Sequence, residues 1–417
     1  MTLAPPYTRV HENAPEPIGR RDISVHEEGS LLSDKLTIRD IAQFAGVSTA
    51  TVSRVLNNKP DVDPATREHV MQVVQEHGFV PSVTASSLAG GRSPLLGVLV
   101  PSLTWPLMPQ IMQSVADVIE QTSYELVLYS ISHRTDRSGL IDRILATRLI
   151  DGLLAVYPDG LAGAESTAPI NRESSTHLRE IYERGFPVVV LDDQSLPGPV
   201  PWVGPDNRVG AYEAVRHLIR HGHRRIAYVQ GPLQYQCSHD RYAGYQQALA
   251  EAHLATDPAL IVQGDFSTAS GRAATAQLLA LAERPTAVFA ANDQMAYGVL
   301  SASEAQGLRI PDDLAIIGFD DIALSAHTRP ALTTVRQPFA EMGRSATEML
   351  LALVSAPRLF GGGLYSERGQ PVGARADFAL RMPTRVQWPT ELVVRASCGG
   401  EHAEASPVDQ IPIDAAH

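Results

Sequence analysis

The sequence predicts a multidomain chain: an all-α helix-turn-helix headpiece with a hinge, then a two-lobed α/β domain with doubly wound parallel sheets. Three observations predict it. Residues 37–58, TIRDIAQFAGVSTATVSRVLNN, write two short amphipathic helices around a glycine turn. From Leu95 onward, short runs rich in Val, Ile and Leu alternate with amphipathic helices, the pattern of βα units whose strands are buried on both faces. And 417 residues exceed what one hydrophobic core usually supports.

Residues 1–34 lack periodicity and are rich in Pro and acids, so they are expected to be a disordered extension. In the headpiece, residues 35–80, Thr37 can cap a helix with Asp40 returning the bond three residues on. Ile38, Ile41 and Ala42 then share one face. The run breaks at Ala45-Gly46-Val47, where Gly46 tolerates a positive φ. Ser48 caps a second helix whose Val52, Val55 and Leu56 face back to the first, leaving Thr49, Ala50 and Arg54 on the other side, available to base edges. Asp63-Pro64 opens a third helix as cap and first-turn proline; Val70, Val73 and Val74 form its inner face and Gly78 ends it. The bland alternative is a helical hairpin inside some ordinary domain, which would leave the rest of the chain unexplained.

The net charge of -12 looks wrong for a partner of nucleic acid until it is apportioned. Between Lys35 and Ser93, six basic residues against five acidic ones leave about +1, so the acidity lies elsewhere. Backbone amides at the Thr37 and Ser48 caps add phosphate donors that formal charge omits. Such a headpiece implies modest non-specific affinity and reliance on dimerisation.

VSTATVSRVLNN, followed by a third helix and then ASSLAGGRS, resembles the start of a LacI/GalR-family transcription regulator. The resemblance runs past residue 390 and omits only the two tails and an insertion at 357–383 that contains Gly361-Gly362-Gly363. It implies a repressor that binds palindromic double-stranded operator DNA as a homodimer and answers to a small-molecule effector, a sugar in the first place. Some members of the family respond instead to purines or to a partner phosphoprotein. The expected DNA-binding residues are Thr37, Ser48, Thr49, Ala50, Thr51, Ser53, Arg54, Asn57 and Leu88. Residues 81–94 would be the hinge, with Leu88 the apolar wedge that two hinges drive into the minor groove. Ser82 and Ser86 depart from the Asn and Arg that the family often carries there.

In the α/β part, residues 95–397, strands are expected at 95–100, 125–129, 152–156, 187–191, 225–230, 260–262, 287–290 and 315–319. Helices are expected at 108–121 and 210–220, and a helix at 339–355 should return to the first half. The pattern appears twice, on either side of about 193–203, and by resemblance gives the periplasmic-binding-protein-like pair of lobes. Ligands of doubly wound sheets sit beyond the carboxyl ends of strands. Those ends carry Ser102, Asp192, Asn292-Asp293 and Asp320-Asp321, while Arg241 heads a helix. Carboxylates and a guanidinium suit a polyhydroxylated ligand, and Trp105 and Phe266 offer flat faces for a sugar ring. The resemblance places Asp192, Arg241, Asn292 and Asp320 on the effector, and Asp293 and Asp321 in loop-fixing or capping roles. Each aspartate has a plain rival role as a helix cap.

Two cysteines, Cys237 and Cys398, argue against a disulfide framework and for a reducing cytosol, beside the nucleoid. The N-terminal stretch mixes Pro, Glu and Arg without an apolar core and no apolar run reaches membrane-spanning length, so neither a signal peptide nor a membrane span is expected. His217, His221 and His223 have metal-compatible spacing but lack further ligands, so neither metal nor cofactor is expected. Residues 398–417 read as a disordered acidic tail without leucine heptads. A solute-binding protein feeding a transporter would explain the two lobes but not TATVSRVLNN. An enzyme of dinucleotide-binding type would need a glycine fingerprint where the chain has Val100-Pro101-Ser102-Leu103.

Overall fold

A computed structural model describes residues 36–56, 59–79, 95–131, 137–156, 173–192, 198–355 and 384–399. The extension at 1–34, Asn57, the hinge with Leu88, the insertion at 357–383 and the tail beyond Gly399 lie outside the described residues. Contacts divide the chain into two units, one up to residue 81 and the other from residue 82.

In the first unit, α1 (Ile38–Phe44), α2 (Thr49–Leu56) and α3 (Pro64–Glu76) enclose a small core of Ile41, Ala42, Ala45, Val52, Val55, Val70, Val73 and Phe79. Thr37 and Asp40 form the capping box, with the Thr37 amide donating to Asp40 Oδ2 at 2.7 Å. Gly46 sits at φ +62°, and the Val47 amide returns to the Ala42 carbonyl at 3.0 Å, which turns the chain into α2. The Asp63 carboxylate accepts from the Thr66 amide at 3.1 Å and so caps α3.

The second unit holds two sheets, each of six strands among the described residues. The first has the order β11-β5-β4-β3-β1-β2, with β1 (Leu95–Val100), β2 (Glu125–Ser130), β3 (Gly152–Val156), β4 (Val188–Leu191), β5 (Trp202–Pro205) and β11 (Arg385–Trp388). The second has the order β12-β10-β9-β8-β6-β7, with β6 (Ile226–Gln230), β7 (Ile261–Gln263), β8 (Ala287–Ala290), β9 (Ala315–Asp320), β10 (Thr333–Arg336) and β12 (Glu391–Val393). All pairings are parallel except β10 with β12. Val98 and Leu99 of β1, all of β3, β4, β6 and β8, and all of β9 are buried, which is why they read as unbroken apolar runs.

The helices are α4 (Met108–Ile119), α5 (Arg137–Ala146), α6 (Glu173–Glu183), α7 (Asn207–Arg220), α8 (Gln236–Glu251), α9 (Thr268–Leu279), α10 (Asp293–Ala305) and α11 (Phe339–Ser355). As expected, α11 returns to the first lobe, where Phe339, Met342, Ala346, Met349 and Leu350 join the core of β1, β3 and β4.

The chain crosses between lobes three times: from β5 into α7, from β10 into α11, and from β11 into β12. Asp206 of the first crossing donates its amide to the Trp388 carbonyl at 2.8 Å and accepts from Thr390 Oγ1 at 3.2 Å, tying it to the third. The first lobe therefore extends through Pro205, beyond the division read at about 193–203, because β5 completes its sheet. Strands β5, β10, β11 and β12 were not among those read from the sequence, while the strand expected at 260–262 is β7, shifted by one residue because a 3-10 turn at Pro258–Leu260 leads into it. Folded chain also continues past residue 397, since Cys398 is 1% exposed in the second lobe's core.

Candidate DNA interface and effector cleft

The headpiece residues fall where amphipathic spacing puts them. Thr49, Ala50 and Arg54 are exposed, and Thr51 and Ser53 are half-buried along the same helix. Ser48 Oγ accepts the Thr51 amide at 3.0 Å and lies 2.8 Å from Thr51 Oγ1, so it does cap α2. Arg54 is not idle: its Nε lies 3.7 Å from Asp61 Oδ2. Arg67 of α3, which sequence reasoning missed, donates Nη1 to the Val55 carbonyl at 3.4 Å and Nη2 to the Lys59 carbonyl. It thereby satisfies the Val55 carbonyl in the last turn of α2 and ties the loop residue Lys59 to α3. Hydrogen bonds from Thr37 hold the Asp40 carboxyl below its ordinary range.

In the second unit, Asp192 follows the last residue of β4, Asn292 follows β8 by two, and Asp320 ends β9. Arg241, in the second turn of α8, is 3% exposed. Its Nε donates to Asn207 Oδ1 at 2.9 Å, its Nη1 to the Ala291 carbonyl, and its Nη2 lies 3.6 Å from Asp320 Oδ1. The guanidinium carbon also sits 3.8 Å from the centre of the Phe319 ring. Gln337 Nε2 donates to Asp320 Oδ1 at 2.6 Å. Burial pushes the Asp320 carboxyl up to about 6, although Arg241 and the Gln337 bond pull the other way.

Asn207 and Gln337 were not singled out from the sequence. Both are buried, both lie on segments that cross between lobes, and each grips one member of the Arg241–Asp320 pair. Each also keeps a buried polar atom, Asn207 Nδ2 and Gln337 Oε1, with no hydrogen-bond partner in the structure, as does Ser238 Oγ in the first turn of α8. Unmet buried donors and acceptors beside a charged pair are costly unless a polar ligand meets them.

Asn292 has two tasks: its Oδ1 caps α10 through the Met295 amide at 2.9 Å, and its Nδ2 donates to the Phe266 carbonyl at 3.1 Å. Phe266 is thereby held at φ +68°, with its ring 5.7 Å from that of Tyr235. Asp192 and Asp320 also adopt positive φ, +62° and +116°. Three non-glycine residues in this sparsely populated region, all in the expected ligand set, mark a place where surrounding structure overrides backbone preference. Ser102 Oγ lies 2.9 Å from Thr104 Oγ1, and Trp105 packs half-buried on the first lobe's core.

Carboxylates from both lobes act on the buried Cys237 thiol. Burial pushes the Cys237 thiol up to about 12, against Arg241, and Asp192 of the first lobe adds to the rise along with Asp320 and Asp240. Asp293 and Asp321 fix loops, as the sequence suggested. Asp293 accepts from the Ile322 amide at 3.0 Å, from Ser325 Oγ at 2.6 Å and from Thr334 Oγ1. Burial and the neighbouring Asp320 push its carboxyl up. Gly318 allows this, since a Cβ there would collide with Asp293 Oδ1. Asp321 is bridged by Arg336 and Arg395, each at 2.7 Å. Asp320 caps no helix: the turn after it, Ala323–Ala326, has Ile322 at its cap position and no side-chain cap.

The His217 and His221 rings pack against each other with centres 4.2 Å apart, but each histidine has a protein partner. His217 Nε2 lies 3.3 Å from Cys398 Sγ, with burial pushing its imidazole down to about 4, while His223 Nδ1 pairs with Thr286 Oγ1 at 3.0 Å. Among the described residues no group of three or more His, Cys, Asp or Glu could hold a metal, and no helix is long and apolar enough to cross a membrane.

Two family models match the chain: bacterial regulatory proteins of the lacI family over residues 37–82, and a periplasmic binding protein-like domain over 215–361. The HTH-type transcriptional repressor CytR of Escherichia coli K12 is 35% identical over 316 residues, which are 76% of this chain and 89% of CytR. The lac repressor dimer bound to operator and the anti-inducer ONPF superposes with a TM-score of 0.69 at 29% identity, covering 88% of this chain and 99% of that one. The transcriptional regulator CelR in complex with cellobiose gives 0.59 at 30% identity, covering 87% and 99%. A helix-turn-helix reader, two doubly wound lobes and relatives matched over nearly their whole length leave one assignment: the chain belongs to the LacI family of transcriptional regulators.

Proposed function

We propose that the chain is a repressor that acts in the cytoplasm, on the nucleoid, as a homodimer on a palindromic operator, and that a neutral polyhydroxylated effector, a sugar, controls it from the cleft between its lobes. The headpiece, 35–80, reads DNA; residues 81–94 are the hinge; 95–397 bind effector and pair the protomers. Arg54, Thr49 and Ala50 address base edges, with Thr51, Ser53 and Asn57 beside them. Thr37 and Ser48 present helix N-termini to phosphate, and Leu88 wedges the minor groove.

The observation that carries the effector reading is the Arg241–Asp320 pair held by Asn207 and Gln337. An ionised carboxylate accepts two ligand hydroxyls while the guanidinium donates to a neighbouring one. Asp192 reaches the ligand from the other lobe, Phe266 and Trp105 face the ring, and Ser102 and Asn292 complete the polar lining. Support for a sugar comes from the similar regulator solved with cellobiose. Binding contacts in both lobes favour a closed cleft, and closure shifts the crossing segments that carry Asn207 and Gln337; where that movement also alters the DNA-binding arrangement of the dimer, effector and operator affinities change together.

Selection from a random duplex library tests the DNA half, followed by a thermal-shift screen of sugars and nucleosides for the effector. A palindromic consensus and a sugar that raises the melting temperature are expected; at a hundredfold excess over Kd the stabilisation is about 2.7 kcal/mol. A best hit among nucleosides, with no sugar binding, would overturn the effector class.

A further inference from the structure

Residues 59–63, which lead from α2, read here as the DNA recognition helix, into α3, are fastened to α2 itself. The Lys59 amide donates to the Arg54 carbonyl at 2.9 Å, and the Lys59 carbonyl accepts from Arg67, whose other nitrogen holds the Val55 carbonyl. Four residues later Asp63 is fixed as the cap of α3. Asp61 lies between these anchors, with its Oδ2 at 3.7 Å from Arg54 Nε. The two side chains are 61% and 56% exposed, so the pair adds little to folding stability. Its charge is also in an unfavourable place for general affinity, because a carboxylate beside the recognition helix is repelled by every phosphate that approaches.

The geometry points to Asp61 as a specificity-determining residue of the DNA reader: it positions Arg54 for a guanine and penalises DNA that offers none. The inference rests on the reading of Arg54 as a base-contacting residue. The pairing is through Nε, which leaves the end of the fork, Nη1 and Nη2, for the O6 and N7 acceptors of one guanine. An arginine biased toward this orientation surrenders somewhat less side-chain freedom on docking than a loose one. On a site without that guanine, Asp61 contributes only repulsion. The headpiece then gains discrimination at the expense of non-specific binding, in keeping with its formal charge of about +1 between Lys35 and Ser93.

The test uses the full chain as wild type, Asp61→Asn, Asp61→Glu, Arg54→Ala and the double variant Arg54→Ala/Asp61→Asn. Wild type is first used to select a consensus from random duplexes. Fluorescence anisotropy then measures each protein on the consensus, on the consensus with the guanine pair assigned to Arg54 changed, and on a random-sequence duplex at several salt concentrations. Asp61→Asn should bind the random duplex about two- to fivefold tighter and lose a similar factor of guanine discrimination. Asp61→Glu should keep the weak random-duplex affinity, and in the Arg54→Ala background Asp61→Asn should no longer alter base preference. Equal melting curves for wild type and Asp61→Asn would exclude a folding effect. Unchanged random-duplex affinity and unchanged base preference in Asp61→Asn would overturn the inference. A wild type that selects no sequence at all would overturn the DNA-reading assignment beneath it.

Discussion

Arg241 Nη2 and Asp320 Oδ1 lie 3.6 Å apart, and each side chain is gripped by a residue from a different segment crossing between the lobes. Arg241 comes from α8 and Asp320 from the end of β9, so only the folded second lobe brings them together. Removing either, as Arg241→Ala or Asp320→Ala, should cost about 1.5–3 kcal/mol of effector affinity, a factor of roughly 10 to 150. Calorimetric titration of the folded variants measures this, and affinity for operator without effector should barely move. Wild-type effector affinity in Asp320→Ala would remove that residue from the site.

The elevated Asp320 carboxyl gives effector binding a pH dependence. With its value pushed from 3.8 to about 6, the carboxylate proposed to accept ligand hydroxyls is formed above pH 6 and lost below it. Effector affinity should be flat above about pH 7 and fall as pH drops through 6, and Asp320→Asn should flatten the profile. Stability runs the opposite way: the folded state binds more protons than the unfolded chain between about 4 and 6, so this group's contribution grows as pH falls across that window. Calorimetry at stepped pH separates the two trends.

Asn207 and Gln337 should matter without touching DNA. Gln337→Met keeps the volume but removes the bond to Asp320, and Asn207→Leu removes the acceptor for Arg241 Nε. Each should weaken effector binding about tenfold, the worth of one hydrogen bond to a charged group. Normal affinity in both variants would reduce the two residues to packing.

Leu88 is the largest apolar side chain of the hinge proposed at 81–94, which lies outside the described residues. Leu88→Ala should leave effector binding intact while weakening operator binding and reducing the bend. A gel-phasing assay that finds the same bend in the variant would contradict the wedge.

What the sequence discloses follows from the range of the interactions concerned. Thr37 with Asp40, Gly46 and Ser48 act within four residues of themselves, so the headpiece can be read directly. Strands β3, β8 and β9 announce themselves because burial on both faces demands continuous apolar runs. Strand β5, WVGP, and β11, RVQW, are short and lack such runs; they exist because they pair with each other across some 180 residues of chain. Asn207 and Gln337 look like ordinary helix-start and loop residues until Arg241 and Asp320 arrive beside them. Nothing in an aspartate or phenylalanine foretells the positive φ of Asp192, Phe266 and Asp320, which tertiary structure imposes.

The most direct test of ligand control is operator affinity of the full chain, read by fluorescence anisotropy across a titration of the sugar found by thermal shift, in wild type and Asp320→Ala. Wild type should shift by at least fivefold, corresponding to about 1 kcal/mol of coupling, while Asp320→Ala binds operator equally well and does not respond. A sugar that saturates the wild-type cleft yet leaves operator affinity unchanged would contradict it.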